Sequence, residues 1–306
     1  MPFISVCIPA YRNPHYLSRL LESISIQTFK DFEVIVTDDS PDDLLQPIID
    51  QYNQKLGILY IKNKIAFGTP ANWNFAISKA RGAWIKLMHN DDWFANENSL
   101  GVFASAALNS NGKNFIFSGF NEVQDDSIKK HIINKAEKLL LKKSPFNLFK
   151  RNFIGPPSTT LINNNQQEWY DENVKWVVDF EFYIRCLRQT NFLSIDLPLI
   201  NIGIHNNQVT KEAFGNPAIE IPENLYLLNK IGADSLKNLF VYDYYWRLFR
   251  NLKIRDFSEV TSFYSSGKLP DQLKKMLSIQ FKIPLSILDF RVFSKSGMLV
   301  SKLFSR

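Results

Sequence analysis

The chain has 306 residues, of which 45% are hydrophobic and 22% are charged, as expected of a globular protein with one large domain and an appendage. Its two cysteines, Cys7 and Cys186, lack metal-binding spacing and exclude a disulfide scaffold. The sequence has no apolar run of about 18 residues and no apolar signal segment at its start, so we expect a cytoplasmic protein without a transmembrane helix.

The net charge of +6 is unevenly distributed. From Pro270 onward the chain has seven basic residues and only two acidic ones. This asymmetry indicates that the C-terminal segment meets an anionic surface, and it disfavours a protein that coats nucleic acid with its whole surface.

Apolar segments alternate with amphipathic helical segments over the first part of the chain. The predicted strands are residues 3–9, 32–36, 58–61 and 84–88, and the predicted helices are residues 16–26, 44–54 and 72–80. Short connections between alternating strands and helices are typical of a parallel sheet with right-handed crossovers, so the sequence predicts an α/β fold.

Polar side chains follow three of these strands, where an open α/β sheet binds its ligands. They are Tyr11 and Arg12, then Asp38 and Asp39, then Asp91 and Asp92. The first of these loops has no glycine, which disfavours a nicotinamide dehydrogenase, and no Walker-type phosphate loop is present. The paired carboxylates of Asp91 and Asp92 suit a divalent cation. The alternative is that Asp92 caps a helical turn.

Several ordered motifs carry a resemblance to a known family. They are residues 6–11 (VCIPAY), 27–40 (QTFKDFEVIVTDDS), Asn74 with 80–82 (ARG), and 90–92 (NDD). From residue 3 to about residue 210 the chain resembles a family 2 glycosyltransferase. The resemblance implies a GT-A fold, a Rossmann-like and mostly parallel sheet flanked by helices, here with a helical C-terminal extension. It also implies transfer of a sugar from a nucleotide-sugar donor with inversion at the anomeric carbon.

The resemblance also implies which residues hold the donor. The acid matching Asp39 binds the nucleoside base, Asp38 supports it, and the loop of residues 10–12 packs around the base. A carboxylate can accept the N3–H of uracil or thymine, which favours a UDP- or dTDP-sugar. Arg81 is expected either to clamp the diphosphate or to cap its helix. The implied nucleotide-sugar residues are Pro9, Ala10, Tyr11, Arg12, Asp38, Asp39, Asn74, Arg81, Asn90 and Asp91.

The metal motif of this family is Asp-x-Asp, and its first acid is His89 in this chain. The resemblance implies that residues 89–91 hold Mn²⁺ or Mg²⁺ on the donor diphosphate, chiefly through Asp91. His89 is expected either to contact the sugar or to pack in the interior. His205, which follows a later apolar segment, is expected to bind the metal or the diphosphate, or alternatively to lie in a solvated loop.

An inverting transfer needs a base that takes the proton of the acceptor hydroxyl. The resemblance assigns this base to Asp179, followed by Arg185, although Val178 replaces the usual Glu. Apolar neighbours of Asp179 are expected to raise its pKa. The alternative role of Asp179 is a helix cap, and Glu181 is the second candidate base. The predicted acceptor or sugar site comprises Asp92, Trp93, Pro157, Ser158 and Arg185.

We predict a glycosyltransferase domain at residues 1–215, with a nucleotide-sugar half at about 1–110 and an acceptor half at about 111–215. Residues 216–306 form a helical extension. Its basic amphipathic end is expected to lie on an anionic membrane or to pack on the catalytic domain or on a second subunit.

The predicted function is metal-dependent sugar transfer to a glycan or lipid-linked acceptor in bacterial surface polysaccharide synthesis, at the inner face of the cell membrane and without a nucleic-acid partner. Because His89 and Val178 depart from the motifs, the alternative is an inactive nucleotide-sugar-binding protein. A sugar nucleotidyltransferase is disfavoured because residues 10–14 are not a basic glycine-rich loop.

Overall fold

The first part of the chain alternates strands with helices, as predicted. The computed structural model describes residues 1–204, 213–265 and 267–305. The first elements are β1 (Ile4–Ala10), α1 (Pro14–Ser25), β2 (Phe32–Asp38), α2 (Gln46–Leu56), β3 (Leu59–Lys62), α3 (Ala71–Ser78) and β4 (Trp84–Leu87). β1 pairs in parallel with both β2 and β4, and β2 pairs in parallel with β3. The carboxyl ends of these four strands therefore lie at one edge of the sheet.

The sheet continues beyond β4 with strands of mixed direction. The next elements are β5 (Trp93–Phe94), α4 (Ser99–Leu108), β6 (Phe115–Gln124), β7 (Ser127–His131), α5 (Lys135–Lys143), β8 (Thr160–Asn163), α6 (Val178–Gln189) and β9 (Phe192–Gly203). Within the described ranges the strand order is β3-β2-β1-β4-β8-β6-β9-β5, with β7 paired to β6. The predicted α/β fold is confirmed, with a parallel sheet over β1–β4 and a mixed one beyond it.

The parallel strands lie in the protein core, which explains why they carry few polar residues. All seven residues of β1 are buried, as expected of a strand covered on both faces. α1 begins with Pro14 at its first turn and buries Leu17, Leu20, Leu21 and Ile24, which recur at helical spacing. Each such side chain contributes about 1.5–3 kcal/mol by leaving water.

Two compact units make up the chain, Met1–Lys142 with Phe153–Asn206 and Lys143–Asn152 with Asn207–Arg306. The second unit is helical, as expected. Its helices are α7 (Pro217–Ile231), α8 (Leu239–Asn251), α9 (Phe257–Phe263), α10 (Asp271–Phe281), α11 (Leu285–Leu288) and α12 (Arg291–Phe304), with a 3-10 helix at Pro145–Lys150. The domain boundaries near residues 110 and 215 stay predictions.

The aromatic stripe of α8 forms the core of the second unit, with Tyr242, Tyr245, Trp246 and Phe249 buried. Asn238 caps this helix by accepting hydrogen bonds from the backbone N–H groups at its start. Across the described ranges, none of the helices combines the length and the apolar character that crossing a bilayer requires.

Candidate functional site

The predicted site residues converge because of the register of the parallel strands. Ala10 at the end of β1 pairs with Asp38 at the end of β2. On the other side of β1, Cys7 pairs with Leu87 at the end of β4. The segments after these strands therefore lie side by side, at the sheet edge where α/β proteins bind ligands.

Asp38 is a buried anchor of this edge. One carboxylate oxygen accepts hydrogen bonds from the backbone nitrogen (2.7 Å) and hydroxyl (2.5 Å) of Ser40. The other accepts from the hydroxyl of Tyr60 at 2.8 Å and from Nζ of Lys62 at 2.9 Å. Burial and the hydrogen bond to Asp38 raise the pKa of Tyr60. With about four acceptor positions filled by protein donors, Asp38 has the geometry of the predicted supporting residue.

Asp39 holds the segment that follows β3. Its Oδ1 accepts from the Asn63 side chain at 2.7 Å and from the backbone nitrogen of Phe67 at 3.1 Å. Its Oδ2 accepts from the backbone nitrogen of Gly68 at 2.8 Å. A carboxylate has about four acceptor positions, so these donors leave Oδ2 of Asp39 room for one further N–H.

The loop after β1 lies at the rim of the site. Pro9 and Ala10 are buried within β1, whereas the side chains of Tyr11 and Arg12 are exposed. Arg12 has a left-handed backbone with φ of 51°, a strained conformation for a residue with a Cβ that is common at functional sites. The amide of Asn90 donates to the carbonyls of Tyr11 and Arg12, both at 3.4 Å, and thereby joins this loop to the end of β4.

The segment after β4 brings three metal-ligand side chains together. The ligand atoms of His89, Asp91 and Asp92 lie within 4.8 Å of one another. Asp92 is buried and accepts hydrogen bonds from Ser158 and from the backbone of Gly203. Burial and the neighbouring charge of Asp91 raise the pKa of the Asp92 carboxyl. The backbone N–H of His89 donates to Oγ of Ser158 at 3.0 Å.

This cluster fits a divalent cation. The Nε2 atom of His89 is buried and has no hydrogen-bond partner among the residues that the structure describes. Burial lowers the pKa of His89, which favours the neutral imidazole, the form that binds metals. Two carboxylates and one imidazole suit Mn²⁺ better than Mg²⁺, which prefers oxygen ligands alone.

Lys86 supports the cluster from within the sheet. Its side chain is completely buried in β4. The Nζ donates to the carbonyl of Ser158 and, at 3.2 Å, to the carbonyl of Thr160, and it lies 4.6 Å from the ring centroid of Phe103. Burial lowers the pKa of Lys86, and the charge of Asp92 opposes that shift. Sequence reasoning treated this strand as an apolar run, although a lysine between apolar residues was the available signal.

The candidate base Asp179 lies in the first turn of α6. The N-cap residue of that helix is Val177, so Asp179 does not hold the alternative capping position. Its Oδ1 accepts from the backbone nitrogen of Phe180 at 2.8 Å. Burial raises the pKa of the Asp179 carboxyl to about 6, against the effect of these backbone hydrogen bonds. A carboxyl with a pKa near neutrality is suited to general base catalysis.

Two aromatic residues connect the metal-ligand cluster to the surroundings of Asp179. The ring of Trp73 lies 4.7 Å from that of His89 and 5.0 Å from that of Tyr170. Burial and the nearby charges of Cys186 and Asp179 raise the pKa of Tyr170. We name Trp73 and Tyr170 the aromatic wall. Sequence reasoning missed both, because nothing local distinguishes them from core aromatic residues.

Two predicted site residues, Arg81 and Trp93, have other protein groups as partners. Arg81 lies just before β4, at the opposite edge of the sheet from the site, and pairs with Glu33 at 2.7 Å. At this position Arg81 lies away from the candidate site and cannot clamp a diphosphate bound there. Trp93 packs its ring against the guanidinium of Arg19, whose carbon lies 3.5 Å from the ring centroid, because β5 pairs with β9 and leaves this ring beside α1.

Three other residues hold the loop before α6. Asn74 donates to the carbonyl of Tyr170 at 2.8 Å and accepts from its backbone nitrogen at 3.0 Å. Arg185 forms hydrogen bonds of 2.8 and 2.9 Å with the carboxylate of Glu181 and also donates to the carbonyls of Glu168 and Trp169. These contacts occupy Arg185 and Glu181, which disfavours the former as a sugar ligand and the latter as the base.

Of the remaining predicted residues, two are buried and one lies outside the residues that the structure describes. Pro157 and Ser158 are buried in a 3-10 turn before β8, where Ser158 contacts the metal-ligand cluster rather than solvent. His205 lies outside the described residues.

A glycosyltransferase family model and several known glycosyltransferases match this chain. Residues 5–165 match the family model described as Glycosyl transferase family 2. An uncharacterized glycosyltransferase of Methanocaldococcus jannaschii is 31% identical over 191 residues, covering 61% of this chain and 65% of that protein. The poly(ribitol-phosphate) beta-N-acetylglucosaminyltransferase TarS of Staphylococcus aureus is 24% identical over 205 residues, covering 62% of this chain and 33% of that protein.

Solved structures show the same fold. TarS 1-349 of S. aureus in complex with UDP has a TM-score of 0.62 and 18% identity, covering 100% of this chain and 90% of that one. A mannosyltransferase of Pyrobaculum calidifontis in complex with GDP-Man and Mn²⁺ has a TM-score of 0.57 and 12% identity, covering 99% and 85%. With a family match over more than half of its length, and with this fold around the strand-end acids, the chain belongs to glycosyl transferase family 2 and has the GT-A fold.

Proposed function

We propose that this chain transfers a sugar from a nucleotide-diphosphate donor, with inversion, to a hydroxyl of a glycan or lipid-linked acceptor in bacterial surface polysaccharide synthesis. The observation that carries the proposal is the position of Asp179. Its carboxyl, with a pKa of about 6, lies near enough to Tyr170 of the aromatic wall to raise the pKa of that residue, and Trp73 of the same wall contacts His89 of the metal-ligand cluster.

The donor is held at the ends of β1 and β2. Oδ2 of Asp39 accepts the ring N–H of the base, and Tyr11 and Arg12 cover it from the exposed rim. A single carboxylate acceptor suits the N3–H of uracil or thymine, so we favour a UDP- or dTDP-sugar. The complex of TarS with UDP supports this choice. The complex of the mannosyltransferase with GDP-Man makes a GDP-sugar the necessary comparison.

His89, Asp91 and Asp92 would hold the divalent cation that binds together with the donor. When bound, it neutralises the negative charge that develops on the leaving diphosphate. The ligand set favours Mn²⁺, and the mannosyltransferase complex contains that ion.

Asp179 performs the proton transfer. As the acceptor oxygen attacks the anomeric carbon from the face opposite the diphosphate, the Asp179 carboxylate takes the proton of that hydroxyl. The bond between the anomeric carbon and the diphosphate oxygen breaks, and its electron pair leaves with the diphosphate. Attack from the opposite face inverts the configuration. Proton transfer of this kind contributes about 10²–10⁴-fold to rate.

We place the acceptor at the inner face of the cell membrane. The support is the C-terminal charge, seven basic residues against two acidic ones from Pro270 onward. A chain that adds sugars to lipid-linked acceptors must reach the headgroup region, where anionic lipids attract basic segments.

The test measures release of nucleoside diphosphate from UDP-, dTDP- and GDP-sugars in the presence of a panel of glycan acceptors. Each donor is tested with Mn²⁺, with Mg²⁺ and with chelator. The proteins compared are wild type, Asp91→Ala and Asp179→Asn. Metal-dependent turnover of one donor class supports the proposal. Weakened donor binding in Asp91→Ala, and retained donor binding with lost turnover in Asp179→Asn, support the assigned roles. Donor binding in the wild type without turnover on any acceptor, unchanged by either substitution, would establish the inactive nucleotide-sugar-binding protein instead.

A further inference from the structure

Helix α12 is packed with its polar face inward and its apolar face outward. The buried residues of this helix are Ser294, Met298 and Ser301. The apolar side chains on the other side are exposed. They are Val292 (76%), Phe293 (60%), Leu299 (45%), Val300 (50%), Leu303 (65%) and Phe304 (73%). We call these six residues the outer face of α12.

The inward orientation is held by specific hydrogen bonds. Ser294 Oγ accepts from the indole nitrogen of Trp246 at 3.1 Å and from Arg250 at 2.9 Å. Ser301 Oγ lies 2.6 Å from the hydroxyl of Tyr242. Turning the helix over would leave these buried donors of α8 against apolar side chains, at the cost of unpaired polar groups. The serines therefore determine which face of α12 meets solvent.

Gly297 also favours this packing. A Cβ at that position would lie 3.1 Å from Ile283 and 3.4 Å from Trp246. The close approach of α12 to Trp246 thus depends on a residue without a side chain, and a larger residue would move the helix away from its hydrogen-bond partners.

The charged residues of α12 itself are all positive. Arg291, Lys295 and Lys302 recur at helical spacing along one border of the outer face, and α12 contains no acidic residue. In α10, whose packing partners include α12, Lys274 and Lys275 line an open cleft of about 570 Å³ with Phe304. Asp271 is the one acidic residue of that cleft lining, and its carboxylate lies 3.5 Å from Lys274.

We propose that the outer face of α12 is a docking surface for an anionic lipid bilayer. The helix would lie in the plane of the interface, with the six apolar side chains in the acyl boundary. Arg291, Lys295 and the lysines of α10 would meet lipid phosphates. A contiguous apolar stripe with a cationic border, without acidic residues, is the pattern of an interfacial helix. A second copy of this chain would bring the same cations together, which disfavours a self-complementary dimer through this surface.

The inference deepens the proposed location of the enzyme and rests on that proposal for its biological setting only. Binding is measured without donor or acceptor, so loss of bilayer binding and loss of sugar transfer are separate results.

The experiment is flotation of the full chain with phosphatidylcholine vesicles, with and without phosphatidylglycerol, at low and high salt. The variants are Phe293→Ser/Leu303→Ser on the outer face and Arg291→Gln/Lys295→Gln on its border. The matched control is Leu108→Ser/Ile128→Ser, which removes two apolar side chains of similar exposure, 72% and 68%, from the other unit. Far-UV circular dichroism and thermal unfolding verify that each variant is folded.

We expect wild type and control to float with anionic vesicles and the outer-face variant to lose at least about tenfold in partitioning, since each buried methylene contributes to binding. The border variant should lose binding to anionic vesicles by a smaller factor, and its remaining binding should depend less on salt than that of wild type. Absence of wild-type binding, or equal binding by the outer-face variant, overturns the proposal. Sedimentation that shows a dimer, dissociated by the outer-face substitutions and without vesicle binding, overturns it in favour of a second copy.

Discussion

The backbone N–H of His89 donates to Oγ of Ser158 over 3.0 Å, although 69 positions separate the two residues in the chain. The same hydroxyl donates to Asp92, and Lys86 fixes the Ser158 carbonyl from behind. The end of β4 is therefore held in place by a turn that the sequence supplies much later. Residues that orient metal ligands in this way typically contribute 10- to 100-fold to metal affinity.

We predict that Ser158→Ala weakens Mn²⁺ binding by about 10- to 100-fold. The substitution removes the acceptor of the His89 N–H and one donor to Asp92, so both ligands lose their orientation. Calorimetric titration of Mn²⁺ in the presence of UDP measures the effect. Ser262→Ala is the control, because that hydroxyl binds only the local carbonyl of Glu259. Equal Mn²⁺ affinity in wild type and Ser158→Ala would contradict the prediction.

The second prediction concerns pH. Since burial raises the pKa of Asp179 to about 6, its carboxylate form is lost as the pH falls through that value. We expect kcat/KM to decline about tenfold per pH unit below about pH 6 and to level off above it. A profile between about pH 5 and about pH 8, recorded with saturating Mn²⁺, measures this dependence. A kcat/KM that stays constant down to about pH 5 would exclude Asp179 as the titrating base, because the acid limb would then lie near the ordinary carboxyl pKa of about 4.

The same raised pKa predicts a gain in stability for Asp179→Asn. The folded protein binds the proton of the Asp179 carboxyl more tightly than the unfolded chain does. Ionisation of this carboxyl therefore lowers the free energy of unfolding as the pH rises from about 4 to about 6. At pH 7 the asparagine variant should gain about 1–2 kcal/mol in the free energy of unfolding while losing turnover. Urea unfolding at about pH 4 and about pH 7 measures the difference, which should vanish at the lower pH. If Asp179→Asn were equally stabilising at the lower pH, the gain in stability would not arise from ionisation of Asp179.

The fourth prediction concerns the buried cation in β4. Lys86→Met should lower the free energy of unfolding by about 3–5 kcal/mol, because it removes the buried donor to the carbonyls of Ser158 and Thr160 and the charge that offsets Asp92. Lys79→Met is the matched control, since Lys79 is exposed at the end of α3 and surface charges contribute little. Urea denaturation of both variants makes the comparison. Equal stability of the two variants would be inconsistent with a structural role for Lys86.

The fifth prediction compares Asp39, at the edge of the sheet where the donor is proposed to bind, with Arg81, at the opposite edge. Asp39→Asn should weaken UDP binding by about 10- to 100-fold, the value of a hydrogen bond to a charged group. Arg81→Ala should leave UDP binding unchanged, because Arg81 lies with Glu33 at the far edge. Its loss should cost at most about 1 kcal/mol of stability. Fluorescence titration with UDP tests both variants, and weakened binding in Arg81→Ala would show that this residue reaches the donor after all.

Much of the fold follows from the sequence for a local reason. The spacing of apolar residues distinguishes strand from helix, and short connections between alternating elements force a parallel sheet. The sequence therefore determined the succession of β1 to β4 along the chain, the family, and the position of Asp39 and Asp91 after the ends of β2 and β4, which lie on either side of β1 in the sheet. The motif also predicted Asp179 as the base, which stays a prediction, and the expected rise in its pKa agrees with its burial.

Only the tertiary structure decided which partner each side chain meets. Arg81 and Tyr11 are both polar residues next to strands, and the direction of the strands assigns them to opposite edges of the sheet. Trp73 and Tyr170 meet because α3 and the loop before α6 pack together, which no local pattern records.

The outer face of α12 is the clearest case. The sequence of this helix defines an apolar face and a serine-rich face, but it does not say which face turns inward. Tyr242 and Trp246 decide this, because their buried polar atoms need the hydroxyls of Ser301 and Ser294. The amphipathic pattern was therefore readable from the sequence, whereas its orientation depended on the hydrogen-bond requirements of a neighbouring helix.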